Sequence, residues 1–214
     1  MKKSVLVVCA HNDDQILGCG GTLAKYAKAG YEVVTVIFSY GQGSHPWLKS
    51  RVTIKMRVKE AKQAERLLGV KKTFYMGFSE GRFKQDIDSE QGEEKLKRIL
   101  CIIRPCKIFT HSPNDPHPDH RAVFQTVMQL VDTLGLDVSV YTFDVWNLFN
   151  FFKPEGVRLV VDVSQTFSLK IRSFKLHKSQ IVTMVTMLPA VYIKAILNGL
   201  RYGYKYVEVF DKAR

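Results

Sequence analysis

Val5-Leu6-Val7-Val8-Cys9-Ala10 runs directly into His11-Asn12-Asp13-Asp14, so an apolar stretch ends abruptly in a histidine and two aspartates. A short continuous apolar run bounded in this way reads as a buried strand. Ile108-Phe109-Thr110, reached after Pro105, is a second such run, and it opens toward His117-Pro118-Asp119-His120. Loops at the carboxyl ends of parallel strands converge on one edge of an open sheet, so the two clusters can meet although they lie far apart in the chain. If the first and fourth strands are neighbours, the chain reverses direction between them. Both clusters then flank the crevice at that switch point.

Outward from these two runs, strand-like stretches alternate with helix-like periodic segments. This is the pattern of an α/β domain with a mostly parallel sheet flanked by helices. A helix is expected over residues 16–29, closed by Gly30, then a strand over 32–38 and a loop through Ser39 to Pro46. Residues 51–68 place apolar side chains at Val52, Met56, Ala61, Ala64, Leu67 and Leu68. Gly69 is the stop, and the basic face reads as solvated. A third strand over 72–76 leads into a long loop through Gly77, Gly81 and Gly92, and a helix follows near 93–103. The fourth strand, 107–110, precedes a helix over 121–134, and 138–143 and 158–163 read as further strands. Trp146, Phe149, Phe151 and Phe152 lie between those two, a stretch suited to core or lid packing. No repeat or low-complexity segment divides the chain, so residues 1–214 read as one domain.

A chain of 214 residues buries a full core without disulfides. Cysteines at 9, 19, 101 and 106 match no zinc-knuckle or redox spacing and read as buried free thiols of a reducing cytoplasm. The apolar run after Met1-Lys2-Lys3 is short and meets His11 rather than a cleavage site, which makes it a strand and not a signal peptide. Lysine and arginine number 32 against 20 acidic residues, a formal charge of +12 that draws anionic partners. The basic residues are spread along the chain without a nucleic-acid motif, so nucleic acid is not the expected partner. An anionic sugar, a phosphate or a membrane surface accounts for the charge as well. Residues 181–197 carry a single charge, Lys194. A spanning helix needs about 20 apolar residues and Pro189 interrupts this tract, so it reads as a buried or membrane-touching element.

The clusters themselves carry the chemistry. Two histidines and one aspartate suit a borderline cation such as zinc and leave a coordination position open for water. Neighbouring side chains in an extended loop point apart, so one of Asp13 and Asp14 can ligate while the other takes a proton. A bound metal lowers the pKa of water from about 15.7 to roughly 7. A histidine in a loop is more often a hydrogen-bonded residue than a ligand, and His45 and His111 read that way. Asp115-Pro116 reads as turn chemistry.

Residues 10–22, Ala-His-Asn-Asp-Asp-Gln-Ile-Leu-Gly-Cys-Gly-Gly-Thr, resemble the Ala-His-Pro-Asp-Asp-Glu-x-x-Gly-x-Gly-Gly signature of the PIG-L/LmbE-like zinc-dependent de-N-acetylases. His117-Pro118-Asp119-His120-Arg121-Ala122-Val123 is similar to the second signature of that family. Weaker matches at 57–61, 77–81, 170–180 and 206–210 extend the likeness almost end to end. The resemblance implies a Rossmann-like fold and removal of an acetyl group from an N-acetylglucosamine-type sugar or its conjugate. It implies Zn2+, or another divalent transition metal, held by His11, Asp14 and His120. Asp13 would be the general base acting on water, and His117 would stabilise the oxyanion or protonate the leaving amine. Arg57, Glu80, His177 and Gln180 fall in tracts that contact substrate.

Asn12 stands where the signature has proline, and Gln15 where it has glutamate, which removes one negative charge beside the metal. Glu80 is longer than the aspartate common at its position. Gly18, Gly20 and Gly21 lack dinucleotide-fingerprint spacing and read as a close approach of helix to sheet. The partner expected is a small N-acetylated amino sugar, with an anionic membrane or a lipid-linked substrate as a further contact and a homo-oligomer open. Hydrolysis of another amide, and a decayed carbohydrate- or lipid-headgroup-binding site, are the alternative readings.

Overall fold

A computed structural model describes residues 3–45, 47–88, 90–146 and 156–214. β1 (Ser4–Cys9) lies between β2 (Glu32–Ile37) and β4 (Lys107–His111), both parallel to it. β3 (Lys72–Tyr75) extends one edge and β5 (Ser139–Phe143) the other, again in parallel. β6 (Arg158–Asp162) and β7 (Val207–Lys212) complete the order β3-β2-β1-β4-β5-β7-β6. β7 runs antiparallel to both its neighbours. The sheet is therefore mostly parallel, with β1 and β4 adjacent as the expected switch point requires.

Burial on both faces explains the unbroken apolar runs. Along β1 and the residue after it, Val5, Val7 and Cys9 enter one core cluster while Leu6, Val8 and Ala10 enter the other. The first face is covered by α1 (Asp14–Lys28) and α2 (Ser50–Leu68), together with α6 (Phe167–Phe174) and α7 (Ile181–Tyr202). The second face is covered by α3 (Phe83–Asp88), α4 (Glu90–Ile103) and α5 (Pro118–Thr133).

Several boundaries differ from those read in the sequence. α1 starts at Asp14 and α5 at Pro118, each a few residues early, because the polar ligand-type residues themselves form the first turns. The expected loop through Gly92 contains α3, and Gly92 lies inside α4, where a Cβ would crowd the backbone of Asp86 and Ile87. α7 continues through Pro189, whose ring sits on the solvent side of the helix. The basic face of α2 is not wholly solvated, since Arg57 is 3% exposed, whereas Val52 is turned outward. Cys9 and Cys19 are buried, but Cys101 is exposed and Cys106 half-buried, and all four are free. Phe149, Phe151 and Phe152 lie outside the described residues.

Two glycines of the first signature set the distance between α1 and the sheet. A Cβ at Gly18 would overlap the Phe143 ring, and one at Gly21 would come within 2.9 Å of Val163. Gly20 instead faces the Lys170 side chain on α6. Overpacking of this kind costs about 1–3 kcal/mol. Gly18→Ala is therefore expected to lower the thermal midpoint by several degrees, read by differential scanning calorimetry.

Candidate active site

The carboxyl ends of β1 and β4 bring the two clusters together. Asp14, the first residue of α1, turns its carboxylate back over the strand end, where Oδ2 accepts the His11 N–H at 2.7 Å. The same oxygen lies 3.3 Å from His11 Nδ1 and 3.5 Å from His120 Nε2. His120 Nε2 and His11 Nδ1 are 3.4 Å apart. Three donor atoms thus form a nearly equilateral triangle. Tetrahedral ligands at about 2.0–2.1 Å from zinc stand about 3.3 Å from one another. The edges of 3.3, 3.4 and 3.5 Å fit such an ion, and the donor types, two imidazoles and one carboxylate, suit a borderline divalent cation.

The surrounding groups orient these donors. His120 Nδ1 is 3.0 Å from Asp115 Oδ1, which leaves Nε2 with its lone pair toward the triangle. His11 Nε2 is 3.6 Å from Asp119 Oδ2, and Asp119 in turn accepts the Gly81 N–H. Burial alone would lower the His11 pKa, but Asp14 and Asp119 outweigh it and raise it to about 10. Burial likewise pushes the Asp14 carboxyl up, yet the imidazoles of His120, His11 and His111 hold it well below the usual range. Asp115 follows the same logic: burial is overcome by His120 and by backbone N–H donors, and its pKa falls to about 2.

His111 and Asp115 are the site residues that sequence reasoning missed. His111 ends β4, is fully buried, and stacks on His120 at 3.9 Å between ring centroids. Its Nε2 accepts the Ala10 N–H at 3.0 Å, which ties β4 to the end of β1 and occupies that lone pair. Burial and the neighbouring His120 lower its pKa to about 4, so it is neutral at pH 7. Asp115 also accepts the N–H groups of His117 and Val145, and thus organises the whole loop rather than a single turn. The histidine at 111, immediately after the apolar run, was the available signal.

An open cavity of about 500 Å³ lies over the triangle. His11, Asp13, Asp14, Arg57, Glu80, His117 and Gln180 line it, while the His120 side chain lies beneath. Arg57 reaches across from α2, with Nη2 3.3 Å from Asp13 Oδ1. It is not the surface partner of Glu60, whose carboxylate instead accepts the Ser179 N–H and hydroxyl. Glu80 accepts the Gly43 N–H at 2.7 Å and joins the two loops of the cavity rim. His117 caps α5: its Nδ1 accepts the Asp119 N–H, which leaves Nε2 as the protonated nitrogen. Burial first, and then His120 and His11, lower its pKa and keep it neutral. His177 is fully buried and does not line the cavity, so the structure gives it no direct access to a ligand there.

Gln15 also points away from the cavity. Its Nε2 donates to Asn12 O and to Glu65 Oε1, and Glu65 further accepts the Thr35 and Thr73 hydroxyls. A glutamate at position 15 would place a second carboxylate about where Nε2 now stands, 3.1 Å from Glu65. The departure from the signature is thus matched by the buried acid of α2, and it leaves the donor triangle unaltered.

Residues 6–131 match the family described as PIG-L: GlcNAc-PI de-N-acetylase. The chain belongs to the PIG-L family. It is 28% identical to the diacetylchitobiose deacetylase of Thermococcus kodakarensis over 96% of this chain and 81% of that one. It is 27% identical to the probable N-acetyl-alpha-D-glucosaminyl L-malate deacetylase 2 of Bacillus cereus, covering 86% of this chain and 87% of that one. Among solved structures, the N,N'-diacetylchitobiose deacetylase of Pyrococcus horikoshii superimposes with a TM-score of 0.81 at 25% identity, over 98% of this PIG-L chain and 83% of that protein. The match extends well beyond residue 131 and takes in the antiparallel β6–β7 pair and α7.

Proposed function

We propose that this PIG-L chain is a zinc-dependent hydrolase that removes the N-acetyl group from an N-acetylglucosamine-type sugar or its conjugate. The observation that carries the reading is the donor triangle of His11, Asp14 and His120, with Asp13 and His117 beside it on one open cavity. The names of the relatives, deacetylases of diacetylchitobiose and of an N-acetylglucosaminyl malate, support the same substrate class. A divalent cation held by the triangle supplies Lewis acidity and a more acidic water, from about 15.7 to roughly 7 in pKa.

The protein's own groups then divide the work. Arg57 holds Asp13 Oδ1 and leaves the other carboxylate oxygen to take a proton from the attacking water. The water oxygen bonds to the acetyl carbon, and the carbonyl oxygen gains negative charge. His117 Nε2–H, fixed in that tautomer by the helix cap, donates a hydrogen bond to this oxygen. The C–N bond breaks as the carbonyl re-forms, the proton held by Asp13 passes to the departing nitrogen, and an amine and acetic acid are left, the acid then releasing its proton to solvent as acetate. Glu80 and Gln180, on the cavity rim, contact the sugar hydroxyls, and His177 acts from behind Arg57 and Asp13 as a neutral packing partner.

The titration of His11 gives a pH signature for metal binding. An imidazole ligates only after losing its proton, and in the metal-free protein that proton is held up to about 10. Affinity for zinc is therefore expected to rise close to tenfold per pH unit through the neutral range and to level off near pH 10, with about one proton released per ion at pH 7. Calorimetry in buffers of different ionisation enthalpy reads that proton. In the metal-free protein the same raised pKa stabilises the fold fully below 6.5, and the contribution is lost as pH rises through about 10.

The reaction is tested by incubating the zinc-loaded protein with N-acetylglucosamine, diacetylchitobiose, and malate- and inositol-linked N-acetylglucosamine, and by measuring acetate and new primary amine. Equal amounts of both from one class establish the reaction and name the substrate. Stoichiometric metal with no product from any of them contradicts this substrate class.

A further inference from the structure

α7 is inverted relative to an ordinary surface helix, whose exposed face is charged. From Ile181 to Leu200 its exposed positions are Ile181, Val182, Val185, Thr186, Pro189, Ile193, Ile196, Leu197 and Leu200, and none of them carries a charge. At about 100° per residue these fall within one arc of roughly 160°. Val182 and Leu200 are 75% and 76% exposed, near the two ends of the stripe. The opposite side, through Met187 and Ala195, is buried against the domain. The helix is thus fixed to the protein along one side and lacks a partner for its apolar side among the described residues. Contiguous apolar surface of this kind marks an interaction site.

Charge identifies the occupant. From residue 163 to residue 207 the chain carries seven lysines and arginines and no aspartate or glutamate. Arg172, Lys175 and Lys178 are exposed before the helix, Arg201 in its last turn and Lys205 just after it. Tyr204, 52% exposed, stands among the latter pair. An apolar stripe bracketed by cations and an aromatic side chain is the pattern of a helix lying in the interface of an anionic bilayer. A second copy of a chain of charge +12 would meet the same cations face to face. The helix also begins at the cavity mouth, since Gln180 and Thr183 line the cavity, as does the half-exposed Trp146.

We propose that the outer face of α7 seats on an anionic lipid bilayer and presents the cavity mouth at the membrane surface. The proposal rests on α7 and its flanks and not on the reaction, so either can fail alone. The test is co-sedimentation of the full chain with vesicles of phosphatidylglycerol and phosphatidylcholine in equal parts, and with phosphatidylcholine alone, at low and high salt. Binding is expected to the anionic vesicles and to weaken with salt. Val185→Glu/Ile193→Glu is expected to reduce it about tenfold or more, with unchanged metal content and circular dichroism. The milder Val185→Ser/Ile193→Ser pair moves it in the same direction if the glutamates disturb folding. Absence of binding to anionic vesicles at low salt, or binding indifferent to both pairs, overturns the proposal. So does a dimer, seen by light scattering, that the same substitutions convert to monomer, since the stripe would then belong to a second copy.

Discussion

Asp13→Asn is expected to lower kcat for acetate release by about 10²- to 10⁴-fold, the contribution of a positioned general base, and to leave zinc binding within a few-fold of wild type. The substitution keeps the size of the side chain and an oxygen for Arg57, which stands 3.3 Å from Oδ1. It removes only the basic oxygen. Because Asp13 is not in the donor triangle, metal content by elemental analysis and the calorimetric affinity separate loss of the base from loss of the metal. If activity and metal disappeared together, Asp13 would be a ligand and the division of labour between the adjacent aspartates would be reversed.

Asp14→Ala is expected to abolish both. Asp14 Oδ2 is the only anionic member of the triangle and stands 3.3–3.5 Å from three imidazoles. Its loss leaves His11 and His120 as a neutral pair, and the fall in zinc affinity should exceed the roughly 10- to 100-fold typical of changes behind the ligands. Asp115→Asn provides that smaller step, because it alters the contact to His120 Nδ1 and not a donor to the ion. The order wild type, Asp115→Asn, Asp14→Ala in zinc affinity, read by competition with a chromophoric chelator, checks the assignment of inner and outer groups.

Much of this arrangement was legible in the sequence because two strong local signals coincided. The apolar runs at 5–10 and 108–110 read as buried strands, and the histidine–aspartate clusters followed them at the edge where parallel strands converge. What remained hidden depends on partners distant in the chain. Arg57 belongs to a helix of otherwise solvated cations, and only the approach of α2 to α1 decides that it meets Asp13. His111 reads as a loop residue until the β1–β4 pairing brings it to the Ala10 N–H. Asp115 sits in a proline-rich turn whose sequence explains itself without reference to His120. β7 and α6 escaped because Glu208 and Lys170, a buried ion pair at 2.6 Å, interrupt their apolar patterns with charge. Glu208 satisfies the N–H groups of Gly21 and Thr22 at the kink of α1, a function that periodicity cannot register.

The donor triangle and the resemblance to deacetylases make one claim together, that catalysis requires a metal at His11, Asp14 and His120. The measurement that tests it most directly is acetate release from the N-acetylglucosamine conjugates by the zinc-loaded protein, by the same sample after chelation, and by that sample reloaded with one equivalent of zinc. Activity that is lost on chelation and regained at one equivalent is the expected result. Acetate release that survives removal of the metal, confirmed by elemental analysis, would contradict the account.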